Sequence, residues 1–147
     1  PAHKVVTPYV QEVQKLVEKA GERVKFTGYI ENQKLYRYYQ SADIQVIPSL
    51  WEEAAGLIAI EGMLSGLPLI ITKSGGMIEY APSNVAVWID RDNIIPNLEA
   101  AIIQLADDKE KRKEMSELSL EQAKEFPKKK FYEDYIEVFE HEGTRKR

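Results

Sequence analysis

Three short, largely apolar runs, residues 43–47, 69–72 and 85–89, alternate with stretches of helical periodicity along this 147-residue chain. A strand that is apolar on both sides must be buried on both faces, as in a parallel sheet. Helical segments between such strands carry the chain back over the sheet in right-handed crossovers. The expected fold class is therefore α/β: a Rossmann-like parallel sheet with helices on both faces. Residues 24–27, Val-Lys-Phe-Thr, read as a further strand ahead of Gly28.

Local signals set the helices between these strands. Thr7 suits the N-cap of a helix over residues 8–20, and Pro8 its first position, where a missing N–H costs nothing. Val10, Val13, Leu16, Val17 and Ala20 recur at helical spacing before Gly21 stops the run. A helix capped by Asn32 is expected over residues 33–40. Another opens at Gly56 and ends at Ser65, and Gly75-Gly76 opens a short one that runs through Ile78 to Tyr80. Helices over 98–106, 110–124 and 131–139 complete the chain, with a break at Pro127. No internal repeat or linker is visible, so residues 1–147 are expected to form one domain.

Composition matters for what it excludes. A net charge of -4 with both signs interspersed gives no electrostatic case for nucleic acid. Lys128-Lys129-Lys130 reads as an exposed helix start and Arg145-Lys146-Arg147 as a frayed tail. With no cysteine there is no disulfide or thiolate chemistry. That fits a reducing compartment, and a cytoplasmic location is the expectation. His3 and His141 are too far apart for a metal cluster, so neither metal nor cofactor is expected. No apolar run reaches the roughly 18 residues of a membrane span.

In an open parallel sheet, ligands bind beyond the carboxyl ends of the strands. The segment after Ile47 is thus the candidate site. Glu53 lies in its loop, three residues before Gly56. The helix that follows offers free N–H groups suited to a diphosphate. Glu61 sits one turn into that helix, inside the apolar run 57–64, where an ionised carboxylate is costly unless hydrogen-bonded. Sugar hydroxyls would supply the donors; a salt bridge to a lysine is the plainer alternative. Gly75-Gly76 reads as a tight turn rather than a ligand contact. Tyr36, Tyr38 and Tyr39 read as one amphipathic helix rather than a sugar-stacking platform.

Pro48-Ser49, Glu53, Gly56-Leu57, Glu61, Gly66-Leu67-Pro68-Leu69-Ile70 and Gly75-Gly76-Met77-Ile78-Glu79 stand in one order and spacing, with seven residues between the first two glutamates. This pattern resembles the signature of family-4 retaining glycosyltransferases, which have the two-domain GT-B fold. The resemblance extends upstream through Ser41-Ala42-Asp43 and residues 24–30, and downstream to Phe131-Tyr132. It implies that the chain is a partial C-terminal half of a GT-B glycosyltransferase and binds a nucleotide-sugar donor. By the same resemblance Glu53 would be the catalytic-site carboxylate that holds donor-sugar hydroxyls, and Glu61 would accept from the ribose hydroxyls. The backbone of Ala55, Gly56 and Leu57 would approach sugar and diphosphate, and Tyr29 and Ile30 would meet the base.

Two substitutions depart from the family pattern. Ala54-Ala55 replaces Pro-Phe, and Gly62 replaces an alanine at a helix-propensity cost of about 1 kcal/mol. The family's acceptor-binding N-terminal domain is not in this sequence, nor are the first two strands of this half, which carry an arginine and a lysine for the diphosphate. In the family's strand order, 3-2-1-4-5-6, these lie between the runs at Val24 and Asp43. The chain is therefore expected to be a fragment with a gap in its sheet, closed by self-association, by a complementing chain or by re-pairing. Alone, it is expected not to transfer sugar; the acceptor would be held by the missing domain. A non-catalytic, glycosyltransferase-like subunit is the alternative from another class. A phospho-receiver domain shares the α/β alternation but lacks the required acidic pair.

Overall fold

The computed structural model describes residues 7–54 and 56–126. The expected helix over 131–139, both histidines and the two basic clusters lie outside them. The chain divides into two compact units, residues 1–34 and 35–147.

The first unit contains α1, Pro8–Ala20, with Pro8 in its first turn and Thr7 Oγ1 accepting from the Val10 N–H at 3.3 Å. Gly21, at φ 62°, ends the helix and opens a 3-10 turn, Gly21–Arg23. Residues 24–31 follow without regular structure. The expected strand at 24–27 is therefore absent, and both Val24 and Phe26 are exposed. A strand exists through its ladder, and β-propensity alone does not supply a partner.

The second unit begins within α2, Asn32–Ser41, in which Asn32 is the first helical residue rather than the cap. It continues with β1, Gln45–Ile47; α3, Leu57–Leu64; β2, Leu69–Thr72; α4, Met77–Tyr80; and β3, Ala86–Ile89. Two long helices close the described chain, α5, Ile94–Asp107, and α6, Lys109–Ala123. The three strands form one parallel sheet in the order β1-β2-β3, with Val46 opposite Ile70 and Ile70 opposite Val87. Helix α5 starts four residues ahead of the expected Leu98, because Pro96 falls in its first turn, where no N–H is needed.

Side chains alternate across the sheet and build two cores. Ile47, Leu69, Ile71 and Ala86 pack with Ala59 and Met63 of α3 and Met77 of α4. Ile70 and Ile89 pack on the opposite face with Ala101 and Leu105 of α5 and Met115 of α6. The sheet therefore carries helices on both faces. Asp108 caps α6 by accepting from the Lys111 N–H at 2.8 Å. Ser119 of α6, fully buried, donates to Leu67 O at 2.9 Å.

β1 is a terminal strand of this sheet, and its central residue Val46 is 37% exposed. The order is that of the last three strands in the expected 3-2-1-4-5-6 arrangement. Among the described residues no strand lies on the outer side of β1, the side on which the gap was expected.

Gly62 also finds its explanation in the fold. It faces the sheet from α3, and a Cβ there would overlap Gln45 Oε1 and stand 2.9 Å from Leu69 Cδ2. Gln45 is nearly buried and donates its Nε2 to Ile58 O at 3.1 Å. Its carboxamide fills the volume that an alanine would occupy.

Candidate functional site

The loop between β1 and α3 leaves the carboxyl end of the sheet, where ligands of open α/β folds bind. Glu53 is half-buried in that loop and accepts from Ser49 Oγ at 2.7 Å through Oε1. The loop leans on the segment that follows β2. Thr72 Oγ1 donates to Ser49 O at 2.5 Å, and Ser74 Oγ donates to Trp51 O. Glu53 N–H donates to Ser74 Oγ at 3.4 Å, and Gly76 N–H donates to Glu53 O at 2.8 Å. Gly75, at φ 48°, lies so close that a Cβ would overlap Glu53 O and stand 2.8 Å from its backbone N. The glycine pair thus shapes the loop from behind, consistent with the structural reading of that turn.

Gly56 opens α3 in the left-handed region, φ 51° and ψ 47°, and no side chain caps the helix. A Cβ at Gly56 would overlap Met77 Cγ and lie 3.1 Å from Tyr80 Oη, so glycine is required here by both conformation and space. Leu57 begins the helix and is exposed. Ala55 lies outside the described residues.

Glu61 departs from its expected burial. Its side is exposed, together with Leu57 and Leu64, while Ala59, Gly62 and Met63 face the sheet. An eight-residue helix that is apolar nearly all round carries no clear periodicity to orient it. The carboxylate is nevertheless hydrogen-bonded: Tyr39 Oη donates to its Oε2 at 2.8 Å. Burial, that bond and the carboxylate's charge push the Tyr39 hydroxyl up to about 12. The alternative reading, a salt bridge from Glu61 to a lysine, is not found among the described residues. Tyr29, exposed, and Ile30, half-buried, lie in the first unit, on the segment between the 3-10 turn and α2.

Sequence reasoning missed four contributors. Tyr39 lies 22 residues from Glu61 and had been read only as part of a helix face. Tyr80 packs edge-on against Phe126 with ring centroids 5.6 Å apart. Its hydroxyl is buried without a hydrogen-bond partner among the described residues; burial, then the charges of Glu53 and Glu79, raises its pKa. Glu52 accepts from Arg91 Nη2 and, at 2.8 Å, from Gly75 N–H. The Arg91 hydrogen bond, the Gly75 N–H and the Arg91 charge hold its carboxyl below the ordinary value. No local signal marks Arg91, because its partner is 39 residues away.

Among the described residues no group of three or more His, Asp or Glu could hold a metal ion. Nor is any helix there long and apolar enough to cross a membrane.

Comparison with known proteins matches residues 7–122 to the family described as glycosyl transferases group 1. An uncharacterised glycosyltransferase of Methanocaldococcus jannaschii is 35% identical over 68 residues, 46% of this chain and 17% of that protein. A D-inositol 3-phosphate glycosyltransferase of Corynebacterium diphtheriae is 32% identical over 107 residues, 72% of this chain and 25% of that protein. The chain therefore spans a quarter or less of the length of these two relatives. A sucrose-phosphate synthase from Thermosynechococcus elongatus superposes with a TM-score of 0.79 at 24% identity, covering 96% of this chain and 37% of that one. The fold thus matches part of a GT-B glycosyltransferase, as expected from the sequence.

Proposed function

The chain belongs to the glycosyl transferases group 1 family, and on that footing we propose that it binds the nucleoside-diphosphate sugar donor for a retaining glycosyl transfer. Glu53 holds hydroxyls of the donor sugar near the anomeric carbon, and Glu61 accepts from the ribose hydroxyls. The backbone of Gly56 and Leu57 approaches the sugar and diphosphate. The acceptor is bound by another part of a longer protein, which works in glycan or polysaccharide biosynthesis. No metal or cofactor takes part in this reading.

The observation that carries it is the pairing of a held carboxylate with an open helix start. Glu53 is oriented by Ser49 on the loop that leads into α3, and α3 has no side-chain cap. Uncapped N–H groups and the positive end of the helix dipole favour a diphosphate. As the bond from the anomeric carbon to the diphosphate breaks, the electron pair leaves on the phosphate oxygen. Donors fixed at that position stabilise this charge more in the transition state than in the ground state. Exposure of Glu61 fits its role, since a ribose must reach it.

Binding of UDP-glucose and GDP-mannose to the full chain, compared with UDP and GDP, tests the proposal by calorimetry. One sugar nucleotide should bind more tightly than its free nucleotide. Glu53→Ala should remove that difference, a loss of about tenfold or more, while leaving nucleotide affinity in place. Equal loss for sugar nucleotide and nucleotide would refute the role given to Glu53.

A further inference from the structure

The Glu53 loop has no secondary structure of its own, yet a ligand-holding carboxylate must be placed to within roughly 0.5 Å. We propose that the buried hydroxyls of Thr72 and Ser74 are positioning groups that set the Glu53 carboxylate for the donor sugar. The inference rests on the donor-binding reading above and assigns two residues to it that neither motif nor family pattern singles out.

Thr72 and Ser74 are 0% and 1% exposed. A hydroxyl placed so deep is costly unless bonded, and at Thr72 a valine would suit the otherwise apolar strand equally well. Both hydroxyls spend their bonds on one target. Thr72 Oγ1 holds the carbonyl of Ser49, whose own Oγ donates to Glu53 Oε1. Ser74 Oγ holds the carbonyl of Trp51 and accepts from Glu53 N–H. The backbone leading up to the carboxylate is thereby fixed to the end of β2 and the residues just after it. That strand lies between β1 and β3, which makes it the most constrained element available. Gly76 N–H adds a third tie at Glu53 O.

The positions act through Glu53 and touch no ligand themselves, so their effect should fall on sugar discrimination rather than on nucleotide affinity. Thr72→Val keeps the shape and removes the hydroxyl; Thr72→Ser keeps the hydroxyl and removes the methyl. Calorimetry on the full chain with UDP-glucose, GDP-mannose, UDP and GDP reads the difference. Thr72→Val and Ser74→Ala should reduce the preference for sugar nucleotide over nucleotide by about tenfold. Thr72→Ser should retain it. In Ser74→Ala, amide exchange at Glu53 and Gly76 should quicken at least about tenfold while Ile70 and Ile71 stay protected.

Thr72→Val retaining the preference, or Thr72→Ser losing it as fully as Thr72→Val, would overturn the proposal, since the hydroxyl would then not be what sets the carboxylate. Unchanged exchange at Glu53 and Gly76 in Ser74→Ala would overturn it as well. A preference that survives Glu53→Ala refutes the donor reading instead, and the exchange rates then judge the ties by themselves.

Discussion

Replacing Gly62 by alanine sets helix propensity against packing, and the structure decides between them. In an exposed helix the change would stabilise by about 1 kcal/mol. Here the new Cβ would overlap Gln45 Oε1 and stand 2.9 Å from both Gln45 Cδ and Leu69 Cδ2. Gln45 is 9% exposed and cannot swing freely into water. Moving it breaks the 3.1 Å bond from Nε2 to Ile58 O, leaving a buried amide unsatisfied at about 1–3 kcal/mol. Strain from an extra carbon in a filled core adds about 1–3 kcal/mol. After the helix gain, Gly62→Ala should destabilise by about 1–5 kcal/mol, centred on about 3. In a Gln45→Ala background only Leu69 Cδ2, at 2.9 Å, still crowds the new Cβ, so the same change should cost about 1–3 kcal/mol less than in the parent. Urea unfolding followed by circular dichroism reads both as shifts in midpoint at constant slope. A single variant more stable than the parent, or effects that add within about 0.5 kcal/mol, would refute the reasoning.

Gly75→Ala should be damaging too, because its Cβ meets backbone rather than a side-chain tip and φ is 48°. A loss of about 2–4 kcal/mol is expected in the same unfolding assay, together with weakened sugar-nucleotide binding. Tyr39 should ionise near pH 12 in an ultraviolet titration, and Glu61→Gln should bring that midpoint down. Because the folded value lies above the unfolded 10.0, this tyrosine's contribution to stability is complete below pH 10 and lost between pH 10 and about 12. Glu52 runs the other way: its folded pKa is below the ordinary 4.5, so its contribution is present above that value and lost as the pH falls through the folded one. Arg91→Gln should raise the Glu52 titration measured by carboxyl carbon NMR.

What could be read directly from the chain was local. Thr7, Pro8 and Gly21 bracket α1, and the helix spans Pro8–Ala20 as expected. Residues 69–72 form β2 without adjustment, since four consecutive apolar-to-β-branched residues between turn signals leave little choice. The run 24–27 has similar composition but forms no strand; a ladder needs a neighbour, and composition does not provide one. Pro96 hid the first turn of α5 for the opposite reason, because proline is excluded from helix interiors but welcome at their start.

The candidate site divides along the same line. Order and spacing from Pro48 to Glu79 sufficed to mark the loop, the glycine that opens α3 and the two carboxylates, because a strand end followed by a helix start is a local arrangement. Only the tertiary structure decided how those groups are held. Glu61 turns outward to Tyr39, Glu53 is fixed through Ser49 to the end of β2, and Gly62 yields its volume to Gln45. Each of these contacts except Ser49–Glu53 joins residues 17 to 23 positions apart. Side-chain type and periodicity fix what a residue prefers; which neighbour satisfies it depends on how strands and helices come together in space.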